Sequence, residues 1–146
     1  NQTIFFLYKG ALIHDSRSHF GLSHSMALAT TNHDRFSVRT GEELRIRLRI
    51  SNTGFAHWLN ENIHQIGVVL IGTHLYNEAH QLLNLDFSRH VIKNPIAPSE
   101  TFEQDIYLRF DDVGQFHVSV DLVSEMICWF ENTGSKPLHL QIDVHP

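Results

Sequence analysis

The stretch Phe116-His117-Val118-Ser119-Val120-Asp121-Leu122 decides the fold. Its apolar side chains fall at 116, 118, 120 and 122, and the residues between them are polar. A period of two places one set on each face of a half-buried strand. The turn Asp111-Asp112-Val113-Gly114 leads into it. Beyond it the chain runs Val123-Ser124-Glu125-Met126-Ile127-Cys128-Trp129-Phe130 and turns at Asn132-Thr133-Gly134-Ser135. A strand that ends in an acid, a tryptophan and a phenylalanine fits a β-sandwich with an aromatic-rich rim.

The same period recurs on both sides of this stretch. Leu44, Ile46, Leu48 and Ile50 alternate with Glu43, Arg45, Arg47 and Arg49, and Asn52-Thr53-Gly54 supplies a turn. Gly67 to Gly72 is continuously apolar and reads as a strand buried on both faces, continuing to Tyr76. Phe102, Ile106, Leu108 and Phe110 alternate with Glu103, Asp105, Tyr107 and Arg109. Leu138, Leu140, Ile142 and Val144 form a last strand. Leu82 to Val91 reads equally as a short strand or an irregular loop. Thr3 to Tyr8 suits a strand, and His14 to His24 suits a loop. No long segment keeps a helical period. The expectation is all-β, an immunoglobulin-like antiparallel β-sandwich of about seven to nine strands. Residues 1–146 form one domain, and the absence of an initial methionine suggests a piece of a longer protein. The core is expected at Leu48, Ile50, Phe102, Phe110, Phe116, Val118, Val120, Leu140 and Ile142.

Immunoglobulin order would set the Leu44–Ile50 strand beside the Thr101–Phe110 strand. Arg45, Arg47 and Arg49 would then face Glu103 and Asp105. Cross-strand pairing explains the arginine row, and an acidic ligand is the alternative.

Hydrophobic residues make up 42% of the 146, which argues against disorder. The formal charge of -5 argues against nucleic acid and against a polybasic membrane surface. One cysteine, Cys128, excludes an internal disulfide framework and a cysteine-based zinc cluster. No apolar run reaches the roughly 20 residues of a membrane helix, so no direct membrane insertion is expected.

The ending D-L-V-x-E-x-x-x-W-F-x-x-x-G-S, filled here by Asp121 to Ser135, resembles that of immunoglobulin-like accessory domains of bacterial surface-polysaccharide machinery. The resemblance runs from about Gly41 to Val144. It takes in Gly41-Glu42, Asn52-Thr53-Gly54 with Trp58, Gly72-Thr73-His74-Leu75, Arg89, Ile96-Ala97-Pro98-Ser99-Glu100 and Gly114-Gln115-Phe116. Such domains stand beside glycosyltransferases and methyltransferases in polysaccharide gene clusters. They are similar in build to the carbohydrate-binding domain of O-antigen exporter ATPase subunits, which recognises the finished glycan. Ser99 stands where glycine is frequent, and the first 40 residues lie outside the match. The resemblance implies a cytoplasmic glycan-binding module, not an enzyme, linked to an ATPase or glycosyltransferase domain of its parent protein. The alternative is an interaction module that forms a homodimer or docks a domain.

Trp58 and Trp129 are candidates for stacking on a sugar, or for the core. An aromatic face matches the C–H face of a pyranose. Tyr76 is a further stacking candidate, and His74, Asn60 and Arg89 are candidates for bonding hydroxyls or a carboxylate. Arg89 and Glu125 sit where the family pattern places an arginine and a glutamate. They either pair with each other or face the ligand. Twelve histidines, His117, His139, His74 and His90 among them, raise the question of a metal, yet no His-x-His or His-Glu-x-x-His spacing occurs. No metal or other cofactor is expected. No nucleophile elbow or phosphate loop is present.

Overall fold

The computed structural model describes residues 5–8 and 11–146. The chain folds as an immunoglobulin-like antiparallel β-sandwich, as its alternating pattern predicts. Eleven strands occur among the described residues: β1 (Phe5–Tyr8), β2 (Ala11–His14), β3 (His24–Leu28), β4 (Arg35–Arg39), β5 (Glu43–Asn52), β6 (Val69–Asn77), β7 (Leu82–Val91), β8 (Thr101–Arg109), β9 (Gly114–Ser124), β10 (Cys128–Trp129) and β11 (Leu138–His145). Helix is confined to single 3-10 turns at Ile63–Gln65 and Phe130–Thr133.

One layer has the order β4-β11-β9-β6-β7, with β10 folded back onto β9. The other has the order β3-β5-β8. β1 and β2 pair only with each other. All pairings are antiparallel except that of β4 with β11, which is parallel and sets Phe36 beside Ile142 and Val38 beside Val144.

The deciding stretch lies at the centre of the larger layer. Val118, Val120 and Leu122 point into the core, and β9 is hydrogen-bonded on both sides, to β11 and β6. Across from them stand Ile46, Leu48 and Ile50 of β5 and Ile106 and Leu108 of β8, and beside them in the same layer lie Leu140 and Ile142 of β11. Burial of each such side chain contributes roughly 1.5–3 kcal/mol. Phe110 is buried as expected, and Phe102 and Phe116 pack on the core from its margin.

The β5–β8 pairing follows from the charge pattern. The register sets Arg49 opposite Glu103 and Arg47 opposite Asp105. Arg49 reaches Glu103 at 2.8 Å, and Arg47 reaches Asp105 at 3.1 Å. Arg47 and Arg49 of the row thus have acidic cross-strand partners, and Arg45 stands opposite Tyr107. These groups are largely solvated, so the pairing steers register more than it adds stability.

Leu82–Val91, ambiguous as sequence, is a ten-residue strand. The strand alternative holds, and the sequence left it undecided because Leu82, Leu83 and Leu85 are all half exposed, so no face of that stretch is set apart by burial. His14–His24, expected as loop, ends one strand and begins another with the loop between.

Candidate functional site

The most open aromatic feature lies at the end of the sandwich where three connections meet. These are the loop between β2 and β3, the turn after β5, and the 3-10 turn Phe130–Thr133. They frame a groove of about 530 Å³ lined by His19, Phe20, Ser23, Phe55, Asn132 and Thr133, among others. Phe20 and Phe55 are each 51% exposed. Their ring centroids lie 5.6 Å apart, edge to face, and His14 completes the cluster at 4.9 Å from Phe55.

Local sequence explains why these rings stand at the surface. The Asn52 side chain accepts from the Gly54 amide at 3.1 Å and donates to the Ala56 carbonyl at 2.9 Å. An asparagine bonded to its own backbone in this way closes a tight turn and leaves Phe55 at the tip. The turn then docks on the β2–β3 loop. Thr53 N–H donates to the Ser23 carbonyl, Ala56 N–H to the Gly21 carbonyl, and the hydroxyls of Ser23 and Thr53 bond at 2.7 Å. Two glycines permit this approach. A Cβ on Gly54 would sit 1.9 Å from the Gly21 carbonyl oxygen, and Gly21 itself has a φ of +78°. Thr133 donates its hydroxyl to the Leu22 carbonyl, joining the third wall. The bonds among these connections fix the groove, whose lining combines the two rings with Ser23, Asn132 and Thr133.

A buried polar pair supports it from below. His24 Nε2 and Asp121 Oδ1 lie 2.6 Å apart with both side chains inaccessible to solvent. The second carboxylate oxygen of Asp121 accepts the Glu131 N–H at 2.9 Å. The His24 amide donates to Ser135 Oγ at 3.0 Å. β3, β9 and the 3-10 turn that carries Asn132 and Thr133 are thus held together through one carboxylate.

The residues singled out from the sequence fall in four places. Trp58 is only 1% exposed and stands edge-on to Phe130 at 5.4 Å. This corrects its reading as a stacking residue: Trp58 exchanges backbone hydrogen bonds with Ile96, which turns its ring into the core. Phe55, three residues earlier in the same turn, is the exposed ring. Asn60 donates to the Lys93 carbonyl at 2.8 Å and ties two connections together. Tyr76 lies against His117 at 5.7 Å, and burial followed by Glu131 raises its phenol above the ordinary range.

The remaining four meet on the outer face of the larger layer. Arg89 bonds Glu125, and also Asp86 at 2.9 Å. Its guanidinium lies 5.1 Å from the centre of the Trp129 ring. The other neighbour of Trp129 is His74, at 4.2 Å, whose Nδ1 is 2.5 Å from the Leu85 carbonyl. Trp129 fits because Gly72 lies beneath it: a Cβ there would come within 2.5 Å of the indole. Arg89 thus has two carboxylates and an aromatic face, and Glu125 has Arg89. The cluster is self-satisfied, and His74 is buried within it.

His117 and His139 do lie on adjacent strands, with Nε2 and Nδ1 2.9 Å apart. His80 faces the same ring at 5.0 Å. Burial lowers the His117 pKa, and the neighbouring His139 and His80 lower it further. Among the described residues, no group of three or more His, Cys, Asp or Glu is arranged to hold a metal ion. The Cys128 thiol is pushed up by burial, then by Asp121, away from the reactive thiolate form.

The exposed rings of Phe20 and Phe55 escaped the sequence reading. The usable signal was an aromatic residue directly after Asn-Thr-Gly, where a turn tip places its side chain outward.

No family model matches the chain, and no curated protein matches it. No helix among the described residues is long and apolar enough to cross a membrane. Among solved structures, a Niemann-Pick type C2 protein from the Japanese carpenter ant aligns with a TM-score of 0.52 at 5% identity, over 86% of this chain and 93% of that one. A CARDB domain from Pyrococcus furiosus aligns with a TM-score of 0.49 at 9% identity, over 85% and 94%. At such identity the first likeness speaks for the fold alone, and it agrees with the two-layered all-β architecture above: the chain is an immunoglobulin-like β-sandwich.

Proposed function

We propose that this domain is a noncovalent carbohydrate-binding module for a bacterial polysaccharide of the O-antigen type. It serves a cytoplasmic ATPase or glycosyltransferase domain of its parent protein in polysaccharide export or synthesis. One observation carries the reading. A rim groove brings two half-exposed phenyl rings together with Ser23, Asn132 and Thr133 in one lining. A pyranose needs both surfaces at once: an apolar face for its C–H groups and bonding partners for its hydroxyls. The family resemblance of the Asp121–Ser135 ending supports the choice of glycan. Binding acts without chemistry in this proposal; the His24–Asp121 pair is sealed from solvent, and burial pushes the Cys128 thiol up.

The stacking role falls to Phe55 and Phe20. Arg89, Glu125, Trp129 and His74 fix the outer face of the layer instead of reading the ligand. The test is a screen of bacterial polysaccharides followed by calorimetry with those that bind. Saturable binding is expected, with Phe55→Ala weakening it roughly five- to tenfold, in line with about 1 kcal/mol or slightly more per aromatic contact. Binding that Phe55→Ala and Phe20→Ala leave untouched would remove the groove, and no binding to any polysaccharide would remove the function.

A further inference from the structure

The polar groups around the rim groove divide into those the loops spend on one another and those left for a ligand. The Gly21 carbonyl accepts the Ala56 N–H, and the Gly54 N–H is held by the Asn52 side chain. The Thr133 hydroxyl lies 2.9 Å from both the Leu22 and the Phe130 carbonyls, so its one proton is used there. The Ser23 and Thr53 hydroxyls bond each other, which consumes one of their two protons. Asn132 differs. It is exposed in the lining of the groove, and its side chain has no hydrogen bond among the described residues. A free primary amide offers a donor and an acceptor side by side, at any pH the fold survives.

Charge is the second observation. No Lys, Arg, Asp or Glu lines the groove. Arg17, the nearest cation along the β2–β3 loop, is paired with Asp15 at 3.0 Å. The half-exposed rings of Phe20 and Phe55 add their own bias, because the face of an aromatic ring is the negative part of its quadrupole. A carboxylate or phosphate laid on these rings gives up water and gains no opposite charge in return. An uncharged sugar carries no such penalty.

We propose that the groove selects an uncharged hexopyranose and that Asn132 reads it. The amide carbonyl accepts from one ring hydroxyl, while the NH2 group donates to the adjacent hydroxyl. This rests on the glycan-binding reading of the same groove and narrows it, setting uronic acids and phosphorylated sugars aside. The two phenyl rings stack on any pyranose, and the Ser23 and Thr133 hydroxyls are engaged in holding the loops together. Discrimination among sugars therefore falls to Asn132 and to the missing charge.

The probes are the methyl α-pyranosides of glucose, galactose and mannose, each beside its uronate, which differs only in a carboxylate at C6. Each is titrated into isotope-labelled protein at pH about 8, above the ordinary histidine range, and followed by amide shifts. Saturable shifts are expected at residues 20–23, 54–55 and 132–133 for at least one neutral glycoside, with its uronate about fivefold or more weaker. Asn132→Ala should weaken the neutral glycoside by about fivefold or more, as for the loss of one or two neutral hydrogen bonds, with an unchanged melting curve. A uronate bound as tightly as its neutral counterpart would overturn the proposal. So would a neutral glycoside bound equally by Asn132→Ala. In both of those outcomes, shifts abolished by Phe55→Ala would leave the groove standing as a glycan site. No shifts from any of the probes up to about 50 mM, far weaker than specific recognition, would overturn the proposal and the groove's part in glycan binding together.

Discussion

At the scale of single residues, the His24–Asp121 pair sets the hardest constraint. Both side chains are sealed from solvent, and Asp121 also holds the Glu131 amide. Removing one member of such a pair leaves a buried group without its partner. His24→Ala should therefore destabilise the domain by about 3–5 kcal/mol, measured by chemical denaturation. His24→Ala melting like the parent protein would show that the pair is dispensable. Gly54→Ala acts close by, at the rim turn itself. The new methyl must displace the Gly21 carbonyl, so the rim turn should lose its register, with stability down by about 1–3 kcal/mol and any groove ligand lost with it. The sequence conveyed little of this. Asp121 is legible as the polar member of an alternating strand, but its partner lies 97 positions away. Trp58 and Phe55 are equally aromatic and near neighbours; only the paired bonds to Ile96 send one ring inward and leave the other at the tip.

Titration belongs to the same scale. Burial lowers the pKa of both His90 and His117 from the ordinary 6.5. The unfolded chain then binds protons more readily than the folded one. Their contribution to stability is complete above 6.5 and drains away as the pH falls through the folded-state values. The melting temperature should thus fall from pH 7 toward pH 5, and the His117→Gln, His90→Gln variant should show a shallower slope. An equal slope would place the dependence elsewhere.

At the scale of elements, β9 is the strand whose failure the fold cannot absorb. It is hydrogen-bonded on both sides, and Val120 is fully buried at its middle. Val120→Asp places a carboxylate in the core and should cost more than about 4 kcal/mol, leaving a chain without a cooperative melt. β5, β8 and β11 were legible because one face of each is buried and the other wet, and β9 because its residues alternate apolar and polar, although Ser119 and Asp121 of its second face are buried as well. β7 was not, because burial distinguishes neither of its faces along Leu82–Leu85. β4 was missed for a different reason. Its five residues form a strand only by lying parallel to β11, more than 100 positions later in the chain, and no local pattern encodes that pairing.

At the scale of the whole molecule, the candidate groove lies at one end of the sandwich and depends on three connections docked on one another. It is not written as a motif, since it arises from where distant segments meet. What sequence did convey was architecture, through the period of two, and the pairing of an arginine row with acids on the facing strand.

The parallel seating of β4 on β11 has a consequence for how the chain is made. β11 occupies the place between β4 and β9, so the larger sheet stays split until the last eight residues of that strand arrive. On the ribosome, Arg35–Arg39 must wait for nearly the entire domain to leave the exit tunnel before finding its neighbour. Until β11 is made the larger sheet has a gap between β4 and β9, and chaperones would meet this domain with its first half still unclosed.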